Sequence, residues 1–156
     1  MSRPAVVAMI VPTALSMVRC VLIRSGGQVY AIDAACLSDY DPADSVATRP
    51  DNGFDQFTVP LLDFEHLLGQ GDHKRGSKTT LMMWQPLHPL SSNNGAVRYC
   101  IAFEEVAGTQ ETLVRSLGRH AARWPGVCGA AELLDGSVAL VLDLEELIKN
   151  AIEKAG

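Results

Sequence analysis

Asp135-Gly136 stands between two short, largely apolar runs, Gly129 to Leu134 and Ser137 to Leu142. Asp-Gly is a preferred two-residue β-hairpin turn, because the central positions of that turn need a positive φ that glycine adopts freely and aspartate tolerates. The pair predicts an antiparallel hairpin, and a lone hairpin is marginal in water, so other strands must cover it. A second hairpin is predicted where Val18 to Arg24 and Gln28 to Asp33 flank Ser25-Gly26-Gly27. Phe54 to Val59, Thr79 to Trp84, Val97 to Phe103 and Gln110 to Arg115 read as further strands. Asp72 to Ser77 and Pro86 to Gly95 are polar, aperiodic and rich in turn formers, as loops are. Strands outnumber helices, which makes the chain mainly β, a barrel or a sandwich.

Helices are few. Phe64 to Leu68 predicts one or two turns ended by Gly69, and Ser116 to Trp124 another stretch stopped by Pro125-Gly126. Leu144, Leu147, Ile148, Ala151 and Ile152 follow the stripe of an amphipathic helix. Asp143 can cap it, with Glu146 completing a capping box. Glu145 and Glu146 near its start and Lys149 and Lys154 later suit the helix dipole.

At 156 residues, 47% apolar and 20% charged, the chain has the length and composition of one folded domain of one or two lobes. A formal charge of -5 argues against nucleic acid, whose affinity comes from clustered cations. The local cluster Arg115, Arg119, His120 and Arg123 reads as a solvated surface. Ala5 to Leu15 is apolar but broken by Pro12 and Thr13 and too short to span a bilayer. It also lacks the order of a signal peptide, so no direct membrane insertion and a cytoplasmic location are expected.

Cys20, Cys36, Cys100 and Cys128 form no Cys-x-x-Cys pair and read as reduced core residues. Phosphate-cradling glycine motifs and a Gly-x-Ser-x-Gly elbow are absent. Asp63, Glu65, His66, Asp72 and His73 are of metal-binding type, but their spacing matches no helical or hairpin ligand set. Cys128 with His120 could form a nucleophile and base, yet the apolar neighbours of Cys128 favour a buried, inert thiol. No catalytic, cofactor-binding or metal-binding residue is therefore assigned.

A pattern of apolar and glycine positions remains. Leu22-Ile23-Arg24-Ser25-Gly26-Gly27-Gln28-Val29-Tyr30-Ala31-Ile32 resembles the opening hairpin of CheW-like domains. Val59-Pro60-Leu61-Leu62-Asp63-Phe64 is similar to that family's Val/Ile-Pro-Leu/Ile-x-x-Leu segment, and Phe103-Glu104-Glu105-Val106 with Gln110-Glu111 to its Val-Asp-Glu-Val and Gln-Glu pattern. Val114 to Gly118, Pro125 to Ala130 and Asp135 to Asp143 follow in the family's order, so the resemblance covers residues 18 to 150. Val11-Pro12-Thr13-Ala14-Leu15-Ser16 looks like the final strand of a GHKL-type ATP-binding domain. With Pro125-Gly126-Val127-Cys128-Gly129-Ala130, and with Phe54-Asp55-Gln56 where coupling proteins usually carry Leu-Arg-Gly, it favours the C-terminal regulatory domain of a CheA-type chemotaxis histidine kinase. Ile32-Asp33 points instead to a free-standing CheW-like coupling protein.

The resemblance implies two small five-stranded β-barrel lobes with short helices and a C-terminal helix. Residues 1–16 would be a linker or the last strand of a preceding ATP-binding domain, and 17–156 the CheW-like domain. One lobe would take roughly 17–36 and 114–156, the other 37–113. The implied function is non-catalytic docking and regulation, with a CheW-like coupling protein, a chemoreceptor cytoplasmic tip and preceding kinase domains as partners and no cofactor. Leu37 falls where coupling proteins carry a Val associated with receptor contact, and Ile32 and Val106 are further candidates for that groove. A small hydrolase with an unrecognised site is the reading from another class; an unligated barrel without convergent polar groups would count against it.

Overall fold

The computed structural model describes residues 15–40, 59–70, 79–87 and 98–155. The strands are β1 (Leu15–Ser25), β2 (Gln28–Asp33), β3 (Leu37–Asp39), β4 (Leu61–Asp63), β5 (Thr80–Trp84), β6 (Tyr99–Phe103), β7 (Glu105–Ser116), β8 (Val127–Glu132) and β9 (Val138–Leu142). The helices are α1 (Phe64–Leu67) and α2 (Leu144–Ala155), with 3-10 turns at Ala34–Cys36 and Gly118–Arg123. Strands β1, β2, β9, β8 and β7 close a barrel, and β3, β5, β6 and β4 form a second sheet of four. The first lobe is thus a five-stranded barrel, as expected. Among the described residues the second is a four-stranded sheet, and most of the expected strand Phe54 to Val59 lies outside them, as does most of the segment 1–16. Residues 105–113, placed with the second lobe from the sequence, pair with β1 in the barrel. β1 itself begins at Leu15, opposite Arg115.

Both predicted hairpins form. Gly26 and Gly27 have φ of 58° and 79° and make a two-residue turn, so Ser25 ends β1 opposite Gln28 rather than joining the turn. At the other hairpin the loop holds three residues, not two. Leu133 N donates to Ser137 O at 2.8 Å, and Gly136 N to Leu133 O at 2.9 Å. Gly136 takes the left-handed position with φ 82°, and Asp135 Oδ1 accepts from Ser137 N at 2.9 Å. The aspartate thus caps the exit from the loop instead of adopting a positive φ itself. The helix expected over Ser116 to Trp124 is a 3-10 turn, because β7 runs on to Ser116. α2 spans its predicted stripe, with Glu146 N donating to Asp143 Oδ1 at 3.3 Å.

Alternation along the strands separates two cores. Cys20, Ala31, Ala131, Leu133, Ala139 and Val141 pack together in one, dominated by small side chains because a five-stranded barrel encloses little space. Their neighbours in sequence, including Val21, Ile32 and Leu142, face the other way. There they meet Phe64, Ile101, Phe103, Leu144 and Ile148 in a larger core that joins the barrel to the second sheet and both helices. Phe64 is fully buried at its centre, with ring centroids 5.8 Å from Tyr30 and 5.1 Å from Phe103.

Candidate functional site

The three residues singled out for partner contact all pack on this larger core, at different depths. Ile32, on β2 between Val21 of β1 and Leu142 of β9, is 0% exposed. Leu37 follows the 3-10 turn Ala34–Cys36, which Asp33 caps by accepting from Ala35 N at 2.8 Å. It sits opposite Trp84 in β3 and is only partly buried. Val106 is partly buried opposite Ile23 of β1. Leu37 and Val106 therefore lie at the margin of the core, where an apolar side chain is reachable from solvent, and Ile32 lies inside it.

A buried polar contact ties the barrel to α1. Ser25 Oγ donates to Glu65 Oε1 at 3.0 Å, and Glu65 is only 4% exposed. Beside it, Gly26 N reaches Glu104 Oε2 at 3.4 Å. Burial, and then the neighbouring Asp63 carboxyl, push the Glu65 pKa above its ordinary value, with its backbone and Ser25 hydrogen bonds partly offsetting them. The unfolded chain lets Glu65 ionise at its ordinary pKa, whereas the folded chain resists. Glu65 therefore lowers stability as pH rises from the ordinary glutamate value through the raised one. Glu65→Gln keeps an acceptor for Ser25, and urea denaturation should show that it loses less stability than wild type as pH rises through that window and stands above wild type at pH 7.

The remaining candidates are chemically quiet. Burial raises the Cys20 thiol to about 11 and Cys36 to about 12, and raises Cys128 as well, so none is primed as a thiolate. Cys128 is nevertheless exposed rather than buried, its Sγ donating to Val141 O at 3.4 Å. Among the described residues no group of three His, Cys, Asp or Glu could hold a metal, and Asp72 and His73 lie outside those residues. No described helix is long and apolar enough to cross a membrane.

A cavity of about 780 Å³ takes in none of the residues foreseen: neither Leu37, Ile32 nor Val106 lines it. Its walls come from α1, α2, β8, β9 and the Trp124-Pro125 bend, with Tyr30, Leu117, Val127, Leu140 and Leu147 supplying apolar surface. The only trace of it in the sequence is that the α2 stripe shrinks to alanine at Ala151, a position that fits helix periodicity without announcing a void.

No curated protein matches the chain. A solved structure does share its fold, the crystal structure of scaffolding protein TtCheW from Thermoanaerobacter tengcongensis, with a TM-score of 0.56 at 12% identity over 85% of this chain and 92% of that one. The family model described as CheW-like domain matches residues 19–151, from within β1 to within α2, and so takes in the closed barrel and the second sheet together. The chain belongs to the CheW-like domain family.

Proposed function

We propose that this domain docks a CheA-type chemotaxis histidine kinase to a CheW-like coupling protein and to the cytoplasmic tip of a chemoreceptor, in the cytoplasm, and that residues 17–156 form it as two lobes. CheW-like domains are non-catalytic scaffold domains of chemotaxis signal transduction, and that coarser role belongs to this chain through its family. The observation that carries the finer reading is the pair Leu37 and Val106, apolar side chains left partly open at the margin of the core joining barrel and second sheet. Apolar anchors of a helix can drop into such a margin. The kinase assignment is supported by Pro125-Gly126-Val127. That support is the motif's resemblance to kinase tails; in the fold Gly126 O accepts from Asp143 N at 2.7 Å, and a Cβ on Gly126 would stand 2.3 Å from Leu147, so the motif seats α2 in either protein.

A free-standing coupling protein is favoured by the resemblance of Ile32-Asp33 to coupling proteins; here the Asp33 carboxylate caps the turn leading into Leu37. An antibody to the domain separates the two in cells: a polypeptide several times the domain's size supports the kinase, one of the domain's own size the coupling protein.

Leu37→Asp tests the docking surface itself. At a solvent-reachable margin the substitution should leave the thermal midpoint within a few degrees of wild type while weakening receptor and coupling-protein binding by about 2 kcal/mol, a hot-spot loss. Calorimetric melting beside array assembly with the full-length protein checks both halves. A stable variant that still assembles and still responds to receptors removes Leu37 from the surface.

A further inference from the structure

The cavity owes its existence to α2. The apolar stripe of that helix carries Leu144, Leu147 and Ile148 in its first turns, then Ala151 and Ala155, both of which line the cavity. Protein interiors are close-packed, so two methyl groups in succession where longer side chains would fit leave open space. The opposite wall is no better covered, since Trp124 lines the cavity while 61% exposed.

Charge around the space is one-sided. Among the described residues the lining holds the cation Lys154 and no Asp or Glu, although the chain holds 18 acidic against 13 basic residues. Arg119 and Arg123 are exposed on the 3-10 turn between Leu117 and Trp124, two further lining residues. The C-terminal end of α2 opposes this with a partial charge of about −0.5, smaller than the full charge of Lys154 in the same turn.

We propose that this cavity binds a small amphipathic anion, a medium-chain carboxylate whose hydrocarbon tail lies against Leu140, Leu147 and Trp124 and whose head group meets Lys154. Its volume falls in the range of about 300–1,000 Å³ usual for small-molecule sites. The assignment is independent of the docking surface, because Leu37 and Val106 do not line the cavity.

Sodium decanoate, titrated into the whole chain below its micelle-forming concentration, tests the site. Trp124 is exposed and Trp84 only 5% so, which makes a blue shift in emission report on Trp124. The shift should saturate, and Trp124→Phe should abolish it while calorimetry still detects binding. Lys154→Glu, on an exposed position, should weaken decanoate by about tenfold or more, the value of a charge-assisted contact. Decyltrimethylammonium, with the same tail and the opposite head, should bind more weakly by a similar factor. Ala151→Leu should fill the space, raise the thermal midpoint and exclude decanoate. The proposal is overturned if decanoate gives no saturable response, if the cationic amphiphile binds equally well, or if folded Ala151→Leu binds decanoate unchanged.

Discussion

Ile32→Asp should fail to fold. Ile32 is 0% exposed, with Val21 and Leu142 as its cross-strand neighbours and the large core on its side-chain face. A carboxylate placed there has no cation to pair with in that apolar core, and burying it costs several kcal/mol, on the order of the stability margin of about 5–15 kcal/mol for a whole domain. Circular dichroism and size exclusion should show an unfolded or aggregated chain at 25 °C. Ile32→Val, which trims one methyl group, should cost only about 0.5–1.5 kcal/mol and stay folded. A folded, soluble Ile32→Asp that loses only partner binding would return Ile32 to the docking surface and take it out of the core.

Phe64→Ala should lower stability by about 3–5 kcal/mol, the usual penalty for emptying a buried aromatic site. At this chain length each kcal/mol moves the thermal midpoint by about 2–4 °C, so a fall of roughly 6–20 °C is expected. The loss should be uneven. Phe64 touches Tyr30 on the barrel and Phe103 on the second sheet, while the small residues inside the barrel form a separate cluster. Hydrogen exchange should therefore show β4, β6 and α1 losing protection first, with β8 and β9 holding theirs. Equal loss across both sheets would mean that the two cores unfold as one.

What the sequence reveals follows the range of the interactions involved. The turn at Gly26-Gly27 and the stripe of α2 were legible because both depend on residues a few positions apart. β3 and β4 hold three residues each, too few to show alternation, and β4 depends on its parallel partner β6. Glu65 looks like one more polar residue in Asp63-Phe64-Glu65-His66. The Ser25 hydroxyl that helps to hold it in its buried place lies forty positions away. The depth of Ile32 against the partial burial of Leu37 and Val106 was likewise invisible, since all three are aliphatic residues in strand-like contexts. The cavity arises from side chains that are small, and a small side chain leaves no signal of the space beside it.

Parallel pairing of β2 with β9 sets Tyr30 beside Leu140. The β2 edge of the first hairpin therefore cannot gain its neighbour until the ribosome has added more than a hundred residues, which at about 5–20 residues per second takes roughly 5–20 s, whereas β1 waits only for β7. Until β7 is made the nascent hairpin offers apolar side chains on both faces, Cys20 and Ala31 on one and Val21 and Ile32 on the other, with two unpaired edges, and the β2 edge stays unpaired until β9 follows. Such a ribbon invites pairing with other chains. Closure of a ring from distant strands is also slow once the chain is complete, because the loop entropy is lost before the contact is gained. Chaperone supply during translation, rather than the stability of the finished barrel, should then set how much soluble protein a cell obtains.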